Sequence, residues 1–264
     1  MTHDKYFVGI DVGTSYVKSV IINNKKEIVD SFIKRTGTSL GSLSKLVFDS
    51  VLLNASISQS AINFITATGF GRDNVNFADS KKTEISCHAK GVYHYFPTKV
   101  TIIDIGGQDT KVIKLDEKGK IIRFKMNRKC AAGTGVFLEE IAYRLDIPLS
   151  ELNSIALKST NSTPLGSFCT VFAKTEILTR IKEGEKVEDL IKSAFESVIR
   201  RVIEMAEFKG TLVVTGGLIA HNNIIREILE RETGADVLIP PTPQLIGAIG
   251  AALFALETQT NIIN

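Results

Sequence analysis

Two aspartates and two cysteines carry the chemistry that this sequence supports. Asp11 ends an apolar run and opens Asp11-Val12-Gly13-Thr14-Ser15. A carboxylate cannot itself hold a phosphate, because like charges repel, but it can hold Mg²⁺ against one, directly or through water. Gly13 lets the backbone approach a phosphate, and the turn's N–H groups with the Thr14 and Ser15 hydroxyls can hold its oxygens. Lys18 adds a positive charge in the next strand. Taken alone, such a turn is as readily a plain hairpin. A second copy, Asp104-Ile105-Gly106-Gly107-Gln108-Asp109, changes that reading, since two Asp-Gly hairpins on opposing lobes can grip a triphosphate from both sides. Val213-Val214-Thr215-Gly216-Gly217 adds a buried strand ending in paired glycines that can lie flat against a nucleoside. Gln244 and Gly247 complete the candidate nucleotide set, and Gly247-x-x-Gly250-Ala251-Ala252 lets a helix pack closely at a crossing. No Gly-rich Walker loop ending Gly-Lys-Ser/Thr is present, and no Gly-x-Gly-x-x-Gly opens a helix after a strand, which argues against a P-loop enzyme and a Rossmann dehydrogenase.

The cysteines pose a separate question. Cys130 lies in Asn127-Arg128-Lys129-Cys130-Ala131-Ala132-Gly133-Thr134-Gly135 and Cys169 in Ser167-Phe168-Cys169-Thr170-Val171-Phe172-Ala173. Each precedes a predicted helix, where the helix dipole and unsatisfied N–H groups favour a thiolate or an anionic cluster. Two thiols cannot hold a four-iron cluster, which needs four; a two-fold dimer supplies the other pair, with the cluster on the axis. Zinc on such an axis satisfies the same count, and ordinary buried cysteines need no metal at all. Cys87, with His88, reads as packing near the cleft.

These residues need elements to position them. Tyr6–Ile10 and Val17–Ile22 read as strands joined by the Asp11–Ser15 turn, with Glu27–Ile33 as a third. Leu40–Ala55 has helical spacing, and Ala61–Thr66 is a short strand. Val100–Ile105, Lys111–Leu115 and Ile121–Met126 repeat the opening arrangement. Helices are expected over Val136–Leu145, Glu176–Ile181, Val187–Phe208, Asn223–Glu232 and Gly247–Leu256, with strands at Thr211–Thr215 and Val237–Ile239. The echo of strand–Asp-x-Gly–strand predicts an α/β protein of two similar lobes with a ligand cleft between them. The boundaries expected are 1–100 for the first lobe, with the helix 247–256 packing back on it, and 101–250 for the second.

Bulk properties narrow the class. The 264 residues are 44% hydrophobic with a net charge of +3, enough chain for a sizeable core and no charge bias toward nucleic acid or a membrane surface. No stretch of about 18 apolar residues and no cleavable leader is visible, so the cytoplasm is the expected location. Three cysteines are an odd number for a disulfide framework, so reduced thiols or metal ligands are the better reading.

The order Asp11-Val-Gly-Thr, Asp104-Ile-Gly-Gly, Thr215-Gly-Gly and Gly247-Ala-x-Gly resembles the actin-like superfamily of acetate and sugar kinases, heat-shock chaperones and actin. That likeness implies a two-lobed, ribonuclease H-like ATPase fold. In it Asp11 and Asp104 organise Mg²⁺ and the attacking water, and the Gly-Gly turn contacts adenosine. Gln108 would orient that water or hydrogen-bond a phosphate.

Within the superfamily, Lys129-Cys-Ala-Ala-Gly-Thr-Gly, Cys169-Thr-Val-Phe-Ala, Thr68-Gly-Phe-Gly-Arg72, Glu84-Ile-Ser-Cys-His-Ala-Lys90 and Ile103-Asp-Ile-Gly-Gly-Gln-Asp109 look like the activator (component A) of 2-hydroxyacyl-CoA dehydratases and its benzoyl-CoA reductase relatives. The resemblance runs from about residue 6 to 255. It implies a homodimer bridged by one 4Fe–4S cluster on Cys130 and Cys169, and an ATP-driven one-electron transfer to an iron–sulfur partner enzyme. The donor implied is ferredoxin or flavodoxin. Arg128 stands where that family usually has an acidic residue, Val136 where Arg is common, and Lys174-Thr175 replaces a more acidic-polar pair. These departures leave the acceptor open among a dehydratase, a benzoyl-CoA reductase and a double-cubane-cluster protein. A sugar kinase of the same fold is the rival reading.

Overall fold

The computed structural model describes residues 5–127, 130–161, 163–166 and 169–263. Two units divide the chain: residues 1–98, 116–121 and 245–264 form the first, and residues 99–115 and 122–244 the second.

The first unit is organised by strand Tyr6–Val12 (β1), an apolar run buried along nearly its whole length. A strand covered on both faces reads as continuously hydrophobic, and β1 does. It pairs antiparallel with Tyr16–Asn23 (β2), which pairs with Ile28–Arg35 (β3). On its other side it pairs parallel with Ile62–Thr68 (β4), reached through helix Leu40–Ala55 (α1). The short strand Ser80–Lys81 (β5) follows, and the order across the sheet is β3-β2-β1-β4-β5. Val47, Phe48 and Val51 of α1 bury against Val8, Ile10, Val12, Val17 and Ile21, since apolar residues three or four apart share one helix face.

Helix Glu84–Tyr95 (α2) was not evident from periodicity. Thr83 caps it, its hydroxyl accepting the Ser86 N–H at 3.2 Å. Its buried residues include Cys87, His88 and Gly91, so the face it packs is too mixed to show an apolar stripe. α2 crosses the final helix, Ile246–Ile263 (α9), also in the first unit. At the crossing a Cβ on Gly250 would lie 1.8 Å from the Cys87 carbonyl oxygen. The small residues of Gly247–Ala252 thus permit the close packing that their pattern predicts.

The second unit repeats this plan. Thr101–Ile105 (β6) pairs antiparallel with Thr110–Leu115 (β7), which neighbours Ile121–Asn127 (β8). β6 also pairs parallel with Leu212–Thr215 (β9), and Val237–Leu238 (β10) closes the order β10-β9-β6-β7-β8. Between β8 and β9 run helices Gly135–Leu145 (α3), Leu152–Ala156 (α4), Thr170–Lys182 (α5) and Val187–Ile203 (α6). Gly217–His221 (α7) and Ile224–Thr233 (α8) lie between β9 and β10. Phe137, Leu138, Ile141, Phe195 and Val198 bury against Ile103 and Ile105. The helix expected from Glu176 starts six residues earlier, because Thr170–Thr175 exposes Val171 and Phe172 and so lacks the amphipathic signal. α6 stops at Ile203 rather than continuing to Phe208.

Candidate functional site

In the first unit the β1–β2 hairpin is closed by the Gly13 N–H donating to the Tyr16 carbonyl at 3.0 Å. Thr14 and Ser15 are half-buried at its tip. Thr36 ties the tip to the sheet, its hydroxyl donating to the Gly13 carbonyl at 2.9 Å. Asp11, 2% exposed, accepts from Lys18 Nζ on Oδ2 at 3.1 Å. Its Oδ1 is buried and has no hydrogen-bond partner among the described residues. A buried carboxylate oxygen in that condition is costly, and such groups are rare enough to need an explanation.

Gly69 and Gly247 crowd this carboxylate. A Cβ on Gly69 would lie 2.4 Å from Asp11 Oδ1, and one on Gly247 would lie 2.9 Å from Oδ2 and 3.2 Å from His88 Nε2. Gly69 also has φ +88°, a left-handed conformation that other residues adopt at a cost. The Thr68–Arg72 motif is thus a tight turn under Asp11, with the Gly71 N–H donating to the Val12 carbonyl at 2.9 Å. Nearby, burial pushes the Cys87 thiol up to about 12; the adjacent Thr68 hydroxyl partly opposes this, and the Asp11 charge adds to it. Cys87 is packing, as the sequence suggests, and no thiolate forms there near neutrality.

In the second unit the Gly106 N–H donates to the Asp109 carbonyl at 2.9 Å and closes the β6–β7 hairpin. Asp104, 3% exposed, accepts from Lys111 Nζ on Oδ2 at 3.1 Å and from the Thr215 hydroxyl on Oδ1 at 3.0 Å. Lys111, 1% exposed, also donates to Asp109 Oδ1 at 2.8 Å. Gln108 is exposed at the tip. Gly216 and Gly217 follow β9, where the Gly216 N–H donates to the Pro243 carbonyl at 3.0 Å and the Gln244 side chain lies 3.5 Å from a Cβ placed on Gly217. Gly216, Gly217 and Gln244 therefore sit together, as a nucleoside platform requires.

Cys130 and Cys169 are both exposed, and both lie in this second unit. Cys169 occupies the N-cap position of α5, with the Ala173 N–H donating to its carbonyl at 2.8 Å. The preceding segment is braced from α5 itself: the Gly166 N–H donates to the Glu176 carboxylate at 2.8 Å, and Arg180 donates to the Thr163 and Pro164 carbonyls. Cys130 precedes α3, and the Asn127 amide donates to the Cys130 and Ala132 carbonyls at 3.1 and 3.0 Å. Cys169 thus stands at the start of α5, whereas Cys130 lies in the loop before α3. The reading of either as an ordinary buried cysteine does not survive, since neither is buried. Lys174 of α5 pairs with Glu140 of α3, and Val136 is half-buried on α3; Arg128 lies outside the described residues.

Two site features escaped the sequence. Lys111 is the counterpart of Lys18, and Thr68-Gly69 that of Thr215-Gly216; the spacing of Asp to Lys is seven residues in both hairpins and was there to be read. Among the described residues, no helix is long and apolar enough to cross a membrane.

Residues 8–255 match the family described as the BadF/BadG/BcrA/BcrD ATPases. The activator of lactoyl-CoA dehydratase from Anaerotignum propionicum is 41% identical over 256 residues, covering 96% of this chain and 98% of that protein. The crystal structure of (R)-2-hydroxyglutaryl-CoA dehydratase component A from Acidaminococcus fermentans matches with a TM-score of 0.91 at 39% identity, over 97% of this chain and 99% of that one. The activator of 2-hydroxyisocaproyl-CoA dehydratase from Clostridium difficile, solved with bound ADPNP, also gives 0.91, at 38% identity over 98% and 97% of the two chains. The fold is that of the actin-like ATPases.

Proposed function

Because this chain belongs to the BadF/BadG/BcrA/BcrD ATPase family, we propose that it is an ATP-hydrolysing activator that delivers single electrons to an iron–sulfur partner enzyme of the 2-hydroxyacyl-CoA dehydratase type. The observation that carries this reading is the pair Cys130 and Cys169, two exposed thiols in one unit, Cys169 at the start of α5 and Cys130 in the loop before α3. Two thiols per chain fit half the ligand set of a 4Fe–4S cluster, so a homodimer supplies four. Such a cluster, when bound, supplies a low-potential electron. The protein's part is to present the two thiols, one at the start of α5 and one in the loop before α3, and to keep small residues, Ala131 to Gly135, around the latter.

ATP is the proposed energy source. Gly13, Thr14, Ser15, Lys18, Gly106 and Gly107 are assigned to its phosphates, Asp109 to the nucleotide loop through its pairing with Lys111, and Gly216, Gly217 and Gln244 to its adenosine. Gly247 keeps space beside Asp11. The buried Asp11 Oδ1, lacking a donor, fits a carboxylate that orders the water shell of Mg²⁺, with Asp104 in the matching role. Gln108, exposed on its loop, is free to orient the attacking water. The external donor is of the ferredoxin or flavodoxin type. A benzoyl-CoA reductase or a double-cubane protein is the alternative acceptor.

Anaerobic purification tests the reading. A brown dimer with about four irons, bleached by air and lost in Cys130→Ala, is the expected result. A colourless, iron-free monomer that releases ADP only with an added sugar would overturn it in favour of a kinase.

A further inference from the structure

The nucleotide loop and the cysteine loop of the second unit are joined by backbone hydrogen bonds. The first N–H groups of a helix have no partner within it, and α3 has no side-chain cap. Its Gly135 N–H donates instead to the Gly106 carbonyl at 2.9 Å, and its Val136 N–H to the Gly107 carbonyl at 2.9 Å. Thr110, fully buried at the foot of β7, adds a third bond: its hydroxyl donates to the Gly133 carbonyl at 2.5 Å. Asn127 then holds the Cys130 and Ala132 carbonyls, and Thr134 closes the loop on Ala131, N–H and hydroxyl both donating to its carbonyl.

These bonds leave the cysteine segment little independent movement. A shift of Gly106–Asp109 toward a phosphate either drags α3's first turn with it or leaves its N–H groups unsatisfied, and the first course is the cheaper. Gly133 sits with φ +81°, where a Cβ would lie 3.0 Å from Cβ of Arg201, so the Thr110 bond anchors a point that is itself confined. Side chains do not occupy the join: a Cβ on Gly135 would lie 3.3 Å from the Gly106 carbonyl oxygen.

We propose that Thr110 is a positioning residue through which the state of the Gly106–Asp109 loop sets the orientation of the Cys130 segment. The inference rests on the reading of that loop as nucleotide-contacting and deepens it with a residue that touches neither nucleotide nor metal. Coupling of this kind is reciprocal in free energy, so a group on Cys130 that favours one orientation of the segment shifts nucleotide preference toward the nucleotide that favours the same orientation.

The test uses the full iron-free chain and follows alkylation of Cys130 by peptide mass spectrometry, with ADP or with ADPNP bound. In the wild type the Cys130 rate is expected to differ by about fivefold or more between the two nucleotides. In Thr110→Val, which keeps the shape and removes one of the three bonds, that ratio falls by about twofold or more while nucleotide Kd stays within about twofold, and Thr110→Ser restores it. A Thr110→Val chain that keeps the wild-type ratio overturns the proposal, as does a wild-type ratio of one. Should Thr110→Val fail to fold, hydrogen exchange on the wild type decides: the Gly135 and Val136 amides must exchange differently with ADP and ADPNP, and identical rates sink the idea. The iron assay is independent of these readouts. A chain with the coupling and no iron defeats the electron-transfer reading alone, and a chain with iron and no coupling defeats this inference alone.

Discussion

The two units build the same carboxylate site on the same frame and finish it differently. In both, the aspartate sits opposite a lysine across an antiparallel pair, Asp11 with Lys18 and Asp104 with Lys111, and both ion pairs measure 3.1 Å. Both aspartates also sit beside a threonine on a parallel strand, Thr68 and Thr215. Each threonine precedes a glycine of positive φ, Gly69 at +88° and Gly216 at +104°, pressed against the backbone of the first strand. At Asp104 the threonine donates to Oδ1 and the lysine to Oδ2, so each carboxylate oxygen has a donor. At Asp11 the second oxygen has no donor among the described residues. A repeated frame thus separates a carboxylate with a donor on each oxygen from one with a donor on a single oxygen.

The lysines should break the symmetry most. Lys111→Met leaves two carboxylates near one buried point without their cation and is expected to cost about 3–5 kcal/mol in urea unfolding. Lys18 is more exposed than Lys111 (side chains 16% against 1%), so Lys18→Met should cost less, about 1–2 kcal/mol. Equal losses would remove the distinction between the sites. The glycines should preserve the symmetry. Gly69→Ala and Gly216→Ala each drive a Cβ into a carbonyl oxygen, Val12 at 2.6 Å and Ile105 at 2.3 Å. Both are expected to lose about 1–3 kcal/mol on the same thermal or urea measurement; a large gap between them would show that the turns are not equivalent.

The threonines sharpen the contrast further. Thr215→Val strips Asp104 Oδ1 of its donor, for a loss of about 1–3 kcal/mol, whereas Thr68→Val takes nothing from Asp11 and should cost about 0.5 kcal/mol or less. A pH dependence belongs to the first unit alone. The Cys87 thiol is raised from its ordinary 9.0 to about 12, so the unfolded chain loses this proton first. The stabilisation is complete below pH 9 and declines as pH rises toward 12. Wild type measured against Cys87→Ala should lose about 1 kcal/mol between pH 9 and pH 10, and a flat difference would contradict the burial of the thiol.

Much of this was legible in one dimension because the hairpins are local. Asp11 to Lys18 and Asp104 to Lys111 span seven residues each, so strand–turn–strand and its echo survive in the sequence. The seven-residue interval also held Lys111, which went unassigned because a lysine in a strand reads as solvent-facing unless its carboxylate is known to be buried. Helix α2 was hidden for a different reason: a face made of Cys87, His88, Gly91 and Val92 packs by shape against a glycine-bearing helix, and shape leaves no hydropathy period. The start of α5 was hidden by Val171 and Phe172, exposed apolar residues that blur any amphipathic stripe.

By itself the sequence determined the composition class, the doubled Asp-Gly hairpin, the cysteine count and the motifs that mark the family, all of which depend on residues close together in the chain. The tertiary structure alone decided that Thr215 reaches Asp104 across 111 positions while Thr68 leaves Asp11 Oδ1 unserved, and that the Gly106–Gly107 carbonyls cap the helix after Cys130. Those are facts of parallel-strand register and of backbone groups seeking partners. Every residue brings the same N–H and C=O to the chain, so no residue type announces where they will pair.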